Sequence, residues 1–162
     1  METPTWTLAL AKEDFKFSVA HFTLFGPERA ETLHGHNYRV AIELTGPALD
    51  AAGLLVDVDE LKRRTRELCA RLDDRVLLPE ASPWLELRRE GPELHCRFGA
   101  RSYRFPADEV ALLPLANTSM ELLARWFWEG LAGALPDRRA ATLAVAIEET
   151  SGQACRYAAP LG

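Results

Sequence analysis

Hydrophobic and polar residues alternate along several stretches of this 162-residue chain, and the alternation predicts strands. Phe15, Phe17 and Val19 alternate with Lys16, Ser18 and Ala20; Tyr38, Val40, Ile42 and Leu44 alternate with Asn37, Arg39, Ala41 and Glu43. Residues 5 to 23 read as strand with a bulge or tight turn at Glu13-Asp14, and 24 to 33 as a loop. Residues 35 to 46 form a second strand, stopped by Gly46-Pro47. The period then changes. Leu61, Leu68, Cys69 and Leu72 share one face of a helix that Asp57 or Asp59 can cap. Residues 82 to 105 read as inserted hairpins, with turns at Glu90-Gly91-Pro92 and Gly99-Ala100. Thr118-Ser119-Met120-Glu121 has the spacing of a capping box, opening a second helix whose apolar face includes Leu122, Leu123, Trp126, Phe127 and Leu131. Ala141 to Ile147 and Ala154 to Ala158 form a last strand pair around Ser151-Gly152. This order predicts an α+β fold: an antiparallel sheet with two helices on one face, in one domain spanning residues 1–162.

The same alternation places the candidate chemistry. His34 and His36 fall on the face that continues as Tyr38, Val40 and Ile42, and His21 continues the Phe15/Phe17/Val19 face. If the two strands pair, three of the chain's four histidines converge at the ends of two apolar faces. A lone histidine on such a face is commonly a satisfied core residue. His-x-His on one strand is already a chelating pair, and three neutral imidazoles with one open position suit catalytic zinc. His95 and Cys96 are adjacent, so they face opposite sides of a strand and make poor partners in one site.

Composition narrows the classes. A net charge of −5, with arginines scattered rather than striped, disfavours nucleic acid as partner. Three cysteines (Cys69, Cys96, Cys155) match no zinc or disulfide framework, so a reducing, cytoplasmic setting is the default expectation. The opening Met1-Glu2-Thr3-Pro4-Thr5-Trp6 lacks the pattern of a leader, and no apolar run approaches a membrane span.

Taken together, Phe17-Ser18-Val19-Ala20-His21, His34-Gly35-His36-Asn37-Tyr38, Val56-Asp57, Leu72-Asp73, Asn117-Thr118-Ser119-Met120-Glu121 and Glu149-Thr150 resemble the 6-pyruvoyltetrahydropterin synthase and 6-carboxytetrahydropterin synthase family, with its tunnelling fold (T-fold). The resemblance covers nearly the whole chain. It implies Zn2+ held by His21, His34 and His36, and 7,8-dihydroneopterin triphosphate or a close relative as substrate. It implies Glu149 as the pterin anchor, Thr118 and Ser119 beside the pterin, and Asp73 as a catalytic group. From the residues alone, Glu149 reads as a strand-end surface glutamate and Thr118-Ser119 as a helix cap. It further implies homo-oligomers, hexamers by expectation, in which sheets join into a barrel and sites form between subunits.

Two departures redirect the chemistry. The family's usual catalytic cysteine, four residues before His34, is replaced by Ala30. The next residue, Glu31, resembles the subgroup in which glutamate takes over as base and the product is 6-hydroxymethyl-7,8-dihydropterin for folate synthesis. Without the resemblance Glu31 reads as a solvated loop residue. The usual Leu-Asp-His is Leu72-Asp73-Asp74, so Asp73 lacks its imidazole neighbour. Alternatives are the 6-carboxytetrahydropterin synthase reaction of the queuosine (deazapurine) pathway, the 6-pyruvoyltetrahydropterin synthase reaction, and a pterin- or purine-binding protein without turnover. The lack of a His-Glu-x-x-His helix argues against an unrelated zinc hydrolase.

Overall fold

The computed structural model describes residues 5–135 and 139–162; the first four residues, part of the stretch read as lacking a leader, lie outside it. The predicted alternation appears as burial. β2 (Lys16–His21) and β3 (His34–Gly46) bury Phe17, Val19, Tyr38, Val40, Ile42 and Leu44 on one face. β3 is the spine. β1 (Trp6–Leu10) pairs with its second half and β2 with its first half, on the same edge, both antiparallel. The predicted tight turn lies between β1 and β2. The opposite edge of β3 takes β9 (Thr142–Thr150), which pairs in turn with β10 (Gln153–Pro160).

One expectation needs correcting. The sheet is mixed rather than antiparallel throughout. β4 (Arg75–Pro79) joins β2 in parallel, and β8 (Val110–Leu113) joins β4 in parallel. Val76-Leu77-Leu78 is a short continuous apolar run, as expected of a strand covered on both faces, and such runs carry no period that separates strand from helix. β5 (Glu86–Glu90), β6 (Glu93–Phe98) and β7 (Arg101–Pro106) make the inserted hairpins, a separate three-stranded sheet.

Two helices cover the apolar face. α1 (Val58–Leu72) is capped by Asp57, which accepts from the Asp59 amide, and buries Leu61, Leu68, Cys69 and Leu72. α2 (Met120–Ala132) buries Leu123, Trp126, Phe127 and Leu131. They meet where a side chain on Gly130 would strike Leu68, its Cβ only 2.9 Å from Cδ1. The α2 cap is Ser119, which accepts from the Leu122 amide, one residue later than the capping-box spacing from Thr118 predicts. Thr118 is fully buried with its hydroxyl committed elsewhere. The acidic end of α1 also has a local reason: Asp73 accepts the Ser18 amide at 2.8 Å, and Asp74, at φ 56°, donates its amide to the Ser18 carbonyl. These bonds tie the helix terminus to β2 and offset the unfavourable placement of acids at the negative end of the helix dipole. Among the described residues, no helix is long and apolar enough to cross a membrane.

Candidate active site

Strand register assembles the histidines. His21 lies directly opposite His34, and Val19 opposite His36, so all three rings emerge on the helix-covered face at one end of the β2–β3 pair. Ring centroids are 5.0 Å apart for His21–His34, 5.3 Å for His21–His36 and 4.6 Å for His34–His36. The floor is aromatic: Tyr38 stacks on Phe17 at 5.1 Å, and Phe17 on Phe127 of α2 at 5.5 Å.

Hydrogen bonds fix which nitrogen faces inward. His34 Nδ1 lies 2.7 Å from the Thr32 carbonyl, which can only accept, so Nδ1 carries the proton and Nε2 the lone pair in the neutral ring. Thr118 donates its hydroxyl to the Phe22 carbonyl, so its lone pair accepts from His21 Nδ1 at 3.2 Å. His21 Nε2 then accepts from the Tyr38 hydroxyl at 3.1 Å. Ring nitrogens oriented through their far N–H in this way are the usual support of metal-ligating histidines. Burial, reinforced by the neighbouring imidazoles, holds the His21 pKa down at about 4. Burial likewise pushes the Tyr38 hydroxyl up, aided by Glu149 and Glu31.

Two carboxylates flank the rings. Glu149 contacts His36 Nε2, and His34 Nε2 lies 2.8 Å from the same nitrogen. Glu31 sits 3.8 Å from His34 Nε2, and its Oε2 accepts the Thr23 amide at 2.8 Å. Burial pushes the Glu31 carboxyl up, but the Thr23 amide and the two histidines outweigh it, and the net shift is downward. One donor atom from each of His21, His34, His36 and Glu149 falls within 4.8 Å of the others. At the centre, the His34 lone pair, His36 Nε2 and a carboxylate oxygen crowd together, and one shared proton satisfies them poorly. A borderline-soft cation taking the imidazole lone pairs would relieve that crowding, so the histidine set fits zinc.

Glu149 was readable from the sequence: Leu143, Val145 and Ile147 alternate onto the buried face, and Glu149 is the next position on it. Its neighbour His36 is set by the β3–β9 pairing, which local pattern does not specify. Ser119 caps α2 and Thr118 orients His21. Asp73 is engaged with Ser18 and is not among the residues that converge on the histidines. No cysteine joins the cluster: burial pushes Cys69 up to about 12 and Cys96 to about 11, and Cys155 lies on β10. Asn117, quoted in the resemblance without a role of its own, accepts the Leu24 amide at 3.0 Å, donates to the Leu24 carbonyl at 2.8 Å and so pins the start of the Glu31 loop.

Comparison with known proteins agrees with this fold. A Plasmodium vivax 6-pyruvoyl tetrahydropterin synthase crystal structure superposes with a TM-score of 0.91 at 26% identity, covering 97% of this chain and 99% of that one. The same P. vivax protein has been solved with a glutamate, described as its catalytic residue, replaced by alanine or by cysteine; these superpose at 25% identity with TM-scores of 0.90 and 0.91. A Methanocaldococcus jannaschii protein provisionally named a 6-carboxy-5,6,7,8-tetrahydropterin synthase is 28% identical over 145 residues, 88% of each chain. The family model described as 6-pyruvoyl tetrahydropterin synthase matches residues 10–160, and with the histidine cluster in place the chain belongs to that family.

Proposed function

We propose that this chain is a zinc-dependent lyase acting on 7,8-dihydroneopterin triphosphate or a close relative, giving 6-hydroxymethyl-7,8-dihydropterin with Glu31 as general base. The observation that carries the reading is the convergence of three imidazoles, two of them oriented through their far N–H, between two carboxylates with no thiol among them. His21, His34 and His36 would hold the metal, which when bound polarises side-chain oxygens of the substrate and acidifies the adjacent carbon. Glu31, kept ionised by the Thr23 amide and the histidines, is charged at neutral pH and able to take the proton. A glutamate is the described catalytic residue of the P. vivax neighbour, which supports this choice over a cysteine mechanism.

Glu149 is assigned to the pterin. Its carboxylate can accept two hydrogen bonds from the guanidine-like edge of the ring. His36 Nε2 cannot donate to Glu149 and ligate a cation at the same time, so occupancy of the histidines releases Glu149 for that task. Thr118 and Ser119 border the pterin through backbone groups while orienting His21 and capping α2. Asp73 stands apart from the histidines of its own chain, and we assign it to a site completed by a neighbouring copy. The sheet ends in β10 and β8, whose outer edges suit such assembly in a homo-oligomer.

The test is product identity. Zinc-loaded protein incubated with 7,8-dihydroneopterin triphosphate should yield hydroxymethyl-dihydropterin by mass spectrometry. Glu31→Gln should lower turnover by about 10²–10⁴-fold while zinc affinity holds. Full activity of that variant would remove Glu31 as base. The M. jannaschii relative's name favours a second reading, the carboxytetrahydropterin product, which the same mass spectrum separates.

A further inference from the structure

The segment between β2 and β3 carries Glu31, and it is held by side chains from distant parts of the chain. Asn117 grips Leu24 at its start. Within it, the Phe25 amide donates to Arg29 and the Glu31 amide to Thr23, closing a small antiparallel turn in which Leu24 faces Ala30. At its end stands Arg101, the first residue of β7 in the inserted sheet. Arg101 Nη1 donates to the Glu31 carbonyl at 2.5 Å, and Nη2 to the Ala30 carbonyl at 3.1 Å. These two carbonyls belong to the peptide planes on either side of the Glu31 Cα. A rigid planar fork bonded to both restricts the backbone of that residue, and with it the direction in which its side chain leaves. The carboxylate remains available to the Thr23 amide and the histidines.

Packing supports the same link. Phe22 and Leu24 of the loop share an apolar cluster with Leu94, Cys96 and Phe98 of the inserted sheet, and Ala30 and Leu33 pack against it. The insert and the Glu31 loop therefore have a common core, distinct from the main one beneath α1 and α2.

We infer that Arg101 is a positioning residue for Glu31, and that the inserted three-stranded sheet acts as the rigid mount of the base. This rests on the reading of Glu31 proposed above. Arg101→Met keeps the aliphatic stem and removes the fork; Arg101→Lys keeps the charge as a single point donor. With zinc-loaded protein, R101M should lower kcat by about 10–100-fold with KM and zinc affinity unchanged, and R101K should recover part of it. Deuterium exchange should quicken at the Thr23 and Glu31 amides and remain unchanged in α1 and α2. If Arg101 acts through Glu31, R101M should cost nothing further in the Glu31→Gln background. Wild-type kcat and exchange in R101M would overturn the inference, as would full additivity with Glu31→Gln. Exchange that quickens throughout the chain, with loss of zinc, would also overturn it by showing that Arg101 only maintains the fold. Should R101M not fold, R101K must show the same local change in weaker form or the inference fails. Full activity of Glu31→Gln would defeat the base reading instead, and unchanged exchange at residues 22–33 would then reject the clamp independently.

Discussion

The strand-borne and loop-borne halves of the site are built by different means. His21, His34 and His36 stand on β2 and β3, where pairing register and the period of two fix their direction. Glu31 stands on an irregular segment, and its position depends on Asn117 and Arg101, far away in sequence. The first half is specified by strand register and should fail as a unit. The second is specified by long-range contacts and should fail by degrees.

The largest effect should come from removing a strand-borne histidine. His36→Ala should lower zinc affinity by more than about 100-fold, exceeding the usual penalty for disturbing an outer partner of a ligand. Titration with zinc against a competing chelator measures it, and retained affinity would break the contrast between the halves.

Acid should distinguish them next, in the metal-free protein. His21 stays neutral in the fold down to about 4, whereas the unfolded chain takes up a proton near 6.5. Stability is thus complete above about pH 6.5 and declines as pH falls toward 4, by on the order of 3 kcal/mol at full effect. The Glu31 carboxyl is shifted downward from 4.5, so its contribution is present above that value and is lost only at lower pH. Thermal unfolding at pH 7, 5.5 and 4 should show the first loss before the second; a flat profile between 7 and 5 would contradict the buried, neutral state of His21.

The smallest effect should come from the loop's anchor. Asn117→Ala leaves the Leu24 amide and carbonyl without their partner and should cost about 1–3 kcal/mol, with exchange quickened near Leu24. The histidine half should still take up zinc. Loss of zinc binding in this variant would mean that the two halves are one cooperative unit.

The sequence disclosed the parts that obey short periods. The two alternating faces, the Asp57 cap and the His-x-His pair were legible because each depends on neighbours within a few residues, and His21 joined them once β2 was paired with β3. β4 and β8 were not, because their apolar runs are brief and their partners lie across parallel connections. The α2 cap moved to Ser119 because Thr118 is drawn into the Phe22 and His21 bonds, a tertiary demand that overrides the local motif. Glu149 lay on a readable face, but its contact with His36 needed the β3–β9 register. Arg101 gave no signal, since nothing in an arginine at the start of a strand says which carbonyls it will meet.

β3 serves β1, β2 and β9 at once and supplies two of the imidazoles. Inserting or deleting a single residue between His36 and Val40 would put the two rings and the Val40/Ile42/Leu44 face on opposite sides of the strand, so that one of them must turn outward. Length variation among descendants of this chain should therefore gather in the hairpin turns at Gly91 and Gly99 and leave the segment from His34 to Leu44 at constant length.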